Sequence, residues 1–153
     1  MTEYYFEDPE KQAQLKVILD SWVGTPYRHH ACVKQLGCDC IHFVIGVFNE
    51  LGVINMDLKK IPDYPRDFHL HKTRELLSES IENVKYGASV KKVSIADVVN
   101  GDIILSHYGK AASHAAIYFD DNIYQSIDGV GVCKISFSDK AFRRQVKFAY
   151  RIL

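Results

Sequence analysis

The sequence predicts an α+β domain, with N-terminal helices packed on a C-terminal antiparallel β-sheet. Three observations carry this. Helical apolar spacing occurs only in the earlier part of the chain, at Leu15, Ile18, Leu19 and Trp22. From residue 102 onward the apolar residues fall in short, strand-length runs. Two-residue polar turns separate several of those runs, so consecutive strands fold back on one another as a meander.

Asp8-Pro9 opens the first helix, Asp as cap and Pro in the first turn, and Gly24 ends it. The loop from Thr25 to Cys38 holds Pro26, His29, His30 and Gly37 and has neither helical nor strand period. Residues 41–51, IHFVIGVFNEL, are apolar at most positions, which suits a helix buried on nearly every side; Gly52 lies just past its end. The prolines of IPDYPRDF make an extended crossing. Leu77, Ile81 and Val84 predict a third, shorter helix ending near Gly87. Ser94 caps a single turn, and Asn100-Gly101 turns the chain into the sheet. Strands are expected at 102–106, 114–119, 123–127 and 130–137, with turns at Asp121-Asn122 and Asp128-Gly129, and a last strand at 145–153.

The 153 residues suffice for one domain with a substantial core, and no linker or repeat divides them, so 1–153 is taken as a single domain. Nineteen basic and nineteen acidic residues cancel, and no charge run forms a general nucleic-acid surface. The polar, acidic start MTEYYFEDPEKQ is not a Sec signal peptide, and no run is long enough to insert in a membrane. The expected site of synthesis is the cytoplasm, with action in a virion or cell envelope requiring delivery by another route. The four cysteines (Cys32, Cys38, Cys40 and Cys133) are expected as thiols in that compartment.

The chemistry centres on Asp39-Cys40. Cys40 stands at or near the N-terminus of the buried helix, where backbone N–H groups and the helix dipole favour an anion, so the thiol is expected to lean toward thiolate. Asp39 opposes this, and a histidine would restore the balance. A cysteine nucleophile needs a base and a group that orients the base. His114 opens the strand HAAIYF and is the preferred base; His107, seven residues upstream, competes with it. Gln125 lies in the next antiparallel strand, a polar residue in a run otherwise suited to a core. Its amide can accept the imidazole N–H and fix the tautomer. Each has a plainer reading: a buried inert thiol, a strand histidine, a glutamine facing water. A metal site is a further alternative, since His29, His30, Cys32, Cys38, Cys40 and His42 crowd one stretch. Their spacing does not match paired zinc knuckles, and no metal or other cofactor is expected.

These residues resemble a known family. Gly24-Thr25-Pro26-Tyr27, Gly37-Cys38-Asp39-Cys40 with the helix ending at Leu51-Gly52, Gly101-Asp102-Ile-Ile-Leu, and His114-Ala-Ala-Ile-Tyr occur in the order found in the NlpC family of cell-wall cysteine peptidases. TPYRH with GCDC is similar to the phage-encoded, tail-associated branch. The resemblance implies a papain-like fold and hydrolysis of amide bonds in peptidoglycan stem peptides, commonly from D-γ-glutamate to the diamino acid. It implies Cys40 as nucleophile, His114 as base, Gln125 as third polar residue, Tyr27 lining the site and Asp39 meeting a substrate amine. Two departures stand out: Ile41-His42 replace the family's Ser-Gly after the cysteine, and Gln125 stands where His is commoner. A non-catalytic phage-tail or assembly module, and an acyltransferase using the same thioester, remain the alternatives. A phage-tail component or an immunity protein are the partners these settings would supply.

Overall fold

The computed structural model describes residues 3–55, 57–60, 90–108 and 111–153. Helix α1, Pro9–Trp22, starts as its sequence requires: the Asp8 carboxylate accepts from the Glu10 N–H at 2.9 Å and Pro9 occupies the first turn. Gly24 follows at φ +92°, a conformation glycine adopts without steric cost. A short hairpin comes next, β1 (Cys32–Val33) and β2 (Gly37–Cys38), inside the stretch expected to be irregular. Helix α2, Cys40–Leu51, is buried from Cys40 through Phe48 and ends at Gly52 in the left-handed region.

The sheet has six antiparallel strands: β3 (Val90–Val93), β4 (Ile103–Tyr108), β5 (Ala111–Phe119), β6 (Asn122–Ile127), β7 (Gly131–Ser136) and β8 (Val146–Ile152). Their spatial order is β3-β8-β4-β5-β6-β7. The four expected central runs are therefore consecutive neighbours, and the last strand returns to pair with β4. Alternation along the strands divides the core in two. Ile103, Leu105, Ala115, Ile117 and Tyr124 join Leu15, Leu19, Trp22, Phe43 and Val47 of the two long helices. Ile104, Ala116, Tyr118, Ile123 and Ala149 face the other way, onto Phe137 and Phe142. Phe142 belongs to a short helix, α3 (Lys140–Gln145), capped by Asp139.

Besides the β1–β2 hairpin, the structure differs from the sequence expectation in four places. The β5–β6 turn is Asp120-Asp121, one residue earlier than expected, with φ of +47° and +61°. Positive φ at both central residues matches the right-handed twist of the flanking strands, and aspartate tolerates it. Strand β5 begins at Ala111 rather than His114. Edge strand β3 was not expected, because VKKV is half charged; its two lysines are exposed. Helix α3 was missed because it is short and lies between two strands. The proline-rich crossing and the helix expected around Leu77, Ile81 and Val84 lie outside the described residues.

Candidate active site

Asp39 caps α2. Its Oδ1 accepts the His42 N–H at 2.8 Å, and Nδ1 of His42 approaches the same oxygen at 3.0 Å. Its Oδ2 accepts the N–H of His30, a left-handed residue at φ +59°, at 2.7 Å. Asp39 is only 1 % exposed and His42 2 %. The carboxylate thus ties the loop at His30 to the first turn of α2 and makes Cys40 the first helical residue.

The segment before Cys40 is held from two sides. Backbone pairing sets Tyr27 beside Cys38: the Cys38 N–H donates to the Pro26 carbonyl at 3.0 Å, and the Cys38 carbonyl accepts from Arg28 at 3.2 Å. From the sheet, the Ser126 hydroxyl donates to the same Cys38 carbonyl at 2.8 Å. Ser126 was not singled out in the sequence; a second polar residue beside Gln125 in an otherwise core-like strand was the available signal. The β5–β6 ladder runs from Phe119–Asn122 to Ile117–Tyr124. Beyond that, β6 engages Cys38 through Ser126, and the Cys40 thiol lies against the backbone N–H of Ala115 on β5. The start of α2 therefore sits where β5 and β6 cease to pair.

His114 immediately precedes Ala115. Its Nε2 donates to Oε1 of Gln125 at 2.8 Å, and the two side chains are 6 % and 2 % exposed. Extending the β5–β6 register puts Ala116 opposite Gln125, so His114 is its diagonal neighbour on the same face. An amide oxygen can only accept, so the bond fixes the proton on Nε2 and leaves Nδ1 as the basic nitrogen. The structure thus gathers Cys40, His114 and Gln125 at one end of the β5–β6 pair, with Tyr27, half-buried, next to Cys38. The His107 backbone pairs with Ala112 past a bulge; its side chain lies outside the described residues.

The electrostatics correct one expectation. Burial, followed by the Asp39 charge, pushes the Cys40 thiol up to about 12, against opposing hydrogen bonds from Ala115, Ile41 and its own backbone N–H. Burial also lowers the His114 pKa, with the Gln125 bond opposing. Desolvation outweighs the helix terminus at Cys40, and both shifts favour the uncharged forms, thiol and neutral imidazole, over thiolate and imidazolium. The dense histidine–cysteine stretch is arranged otherwise than as a ligand set. The rings of His30 and His42 meet at a tilt of 58° with centroids 4.8 Å apart, and the Cys32 thiol donates to the His42 carbonyl at 3.2 Å. Among the described residues no group of three or more His, Cys, Asp and Glu side chains could hold a metal ion, and no helix is long and apolar enough to cross a membrane.

Comparison with known proteins bears on the fold and the family. No curated protein matches in sequence. Solved structures share the papain-like α+β fold. An NLP/P60-family protein similar to a lipoprotein, from Staphylococcus aureus, superposes with a TM-score of 0.66 at 18% identity, over 100% of this chain and 45% of its own. The NlpC/p60 domain of the peptidoglycan hydrolase SagA gives 0.57 at 18% identity, over 90% of this chain and 96% of that domain. The peptidoglycan hydrolase RipB of Mycobacterium tuberculosis gives 0.55 at 17%, over 92% of this chain and 63% of that one. This chain therefore spans less than half of the staphylococcal protein. Residues 24–146 match the NlpC/P60 family model, a span running from the turn after α1 through the whole Cys40–His114–Gln125 arrangement, and the chain belongs to the NlpC/P60 family.

Proposed function

We propose that the protein is a cysteine hydrolase of peptidoglycan stem peptides, with Cys40 as nucleophile, His114 as base and Gln125 as the residue that orients the base. The observation that carries this is the buried 2.8 Å bond between His114 and Gln125, with the next residue, Ala115, presenting its backbone N–H to the thiol of the cysteine that opens α2. The substrate class follows from family membership and from the two similar peptidoglycan hydrolases.

Attack begins from a neutral pair. As the Cys40 sulfur approaches the scissile carbonyl carbon, its proton passes to Nδ1 of His114, while Nε2–H stays on Gln125. The developing oxyanion is met by the Cys40 backbone N–H at the start of α2, with Tyr27 lining the approach. His114 returns the proton to the leaving amine, leaving a thioester that water hydrolyses with His114 again as base. The bond we assign is the one from D-γ-glutamate to the diamino acid. A phage-tail setting rests on the TPYRH and GCDC similarity alone.

Asp39 enters this reading chiefly as the residue that places Cys40, because both its oxygens already hold protein groups. Purified muropeptides incubated with the wild type should give fragments bearing a new amine on the diamino acid, identified by mass spectrometry. Cys40→Ala should give none. Wild-type protein that binds muropeptides without fragmenting them would favour the assembly-module reading.

A further inference from the structure

A second pair of cysteines lies two residues from the proposed nucleophile. Cys32 and Cys38 are direct partners in the antiparallel β1–β2 hairpin, and both are free thiols. The Cys38 N–H and carbonyl are both turned away from β1, toward Pro26 and Arg28. In a strand the two groups of one residue share an edge, so Cys32 and Cys38 form the non-hydrogen-bonded type of cross-strand pair. Such pairs have Cα atoms about 4.5 Å apart and side chains on the same face. A disulfide requires a Cα separation of roughly 4.4–6.8 Å, so the backbone already meets the condition.

The side chains agree with this. The Cys32 sulfur lies against α2, donating to the His42 carbonyl, and a methyl group built on Gly46 would come within 2.8 Å of it. The Cys38 sulfur is 3.8 Å from the Ser126 hydroxyl. The Cys32 charge is one of the influences that raise the Cys38 thiol, after burial, as expected of neighbouring groups. Cys32 is half-buried and Cys38 wholly buried, so an oxidant meets Cys32 first.

We propose that Cys32 and Cys38 are a modification site, forming a reversible cross-strand disulfide that restrains the segment leading into Cys40. The oxidant class is a small disulfide. Cys32 attacks it, forming a mixed disulfide and releasing one thiol; Cys38 then attacks the Cys32 sulfur and releases the second. Two electrons pass from the cysteine pair to the external disulfide, and the proton lost by each attacking cysteine ends on the thiol released in that step. Burial pushes Cys32 up to about 11 and Cys38 up to about 12, so both steps go faster in alkaline solution. Closing the bond replaces the Cys32 thiol's contact with the His42 carbonyl and the Cys38 thiol's contact with Ser126 by a covalent link across the hairpin, two residues from Cys40.

The test uses folded protein and oxidised glutathione at mildly alkaline pH. Lys34 separates the two cysteines in a tryptic digest, whereas Cys38 and Cys40 share a peptide, so the map is run on the wild type and on Cys40→Ala. The expected result is a Cys32–Cys38 link in both, reversed by dithiothreitol and absent in Cys32→Ser. Alkylation of Cys40 by iodoacetamide should be several-fold slower in the linked form. A link from Cys32 to Cys40, or persistent free Cys32 and Cys38, overturns the pairing. A linked pair with unchanged Cys40 alkylation overturns the restraint. Neither readout depends on peptidoglycan hydrolysis, so the inference stands or falls apart from the proposed activity.

Discussion

Nε2 of His114 and Oε1 of Gln125 are 2.8 Å apart in a buried setting, and that contact fixes which imidazole nitrogen is basic. The contact acts through geometry, since an amide carries no charge to offset an imidazolium. Gln125→Ala should therefore lower turnover by about 10–100-fold while the protein stays folded, less than loss of a reacting group. Gln125→Asn moves the acceptor back by a methylene and should also reduce turnover. Gln125→His, which keeps an acceptor, should retain much of it. A kinetic series in which Gln125→Ala equals wild type would remove the orienting role.

The neutral resting pair sets the pH dependence. Activity requires His114 unprotonated, and its pKa lies below the ordinary 6.5, so the acid limb of the rate profile should fall below that value. Stability follows the same groups with opposite limbs. The depressed His114 pKa means the unfolded chain binds a proton first, so stability is present above 6.5 and lost as pH falls through the folded value. Cys32, Cys38 and Cys40 are raised from 9.0 to about 11, 12 and 12, so the folded chain keeps protons the unfolded chain releases, and stability is lost as pH rises above 9. Urea midpoints across pH check both limbs; Cys40→Ala should flatten the alkaline one.

Asp39 should be more important to structure than its surface-loop neighbours. Asp39→Ala removes the acceptor for the His42 and His30 N–H groups at once. Loss of the cap alone costs about 0.5–2 kcal/mol. Thermal unfolding should show the loss, and Asp39→Asn, which keeps one acceptor oxygen, should recover part of it. Full stability of Asp39→Ala would mean that the cap contributes nothing.

Gly46 is needed for helix packing. A Cβ there would stand 2.7 Å from Cη2 of Trp22 and 2.8 Å from the Cys32 sulfur. Gly46→Ala should destabilise by about 1–3 kcal/mol through overpacking, despite the better helix propensity of alanine. Shortening the neighbour, as in Cys32→Ala with Gly46→Ala, should recover part of the loss in a double-mutant cycle.

The legible parts of this fold were those with strong local signals. The Asp8 cap, the apolar run after Cys40 and the strand runs from residue 102 all became elements close to their expected bounds. The pairing of His114 with Gln125 was legible because a polar residue in a core-like strand requires a partner. The β1–β2 hairpin was not, because four paired residues have no period, and its pairing depends on contacts with Pro26, Arg28 and α2. The thiol electrostatics also escaped the sequence. A helix N-terminus is visible there, whereas the depth of burial that outweighs it comes only from tertiary packing.

The central claim is covalent catalysis by Cys40, and trapping the acyl-enzyme tests it most directly. Digestion of muropeptides should be stopped with acid during turnover and the peptide containing Cys40 weighed. The account predicts an added peptide acyl group on Cys40, removed by hydroxylamine and absent from Cys40→Ala, with His114→Ala accumulating little of it. Continued hydrolysis by Cys40→Ala, or an acyl group carried on Cys32, Cys38 or Cys133 instead, would contradict it.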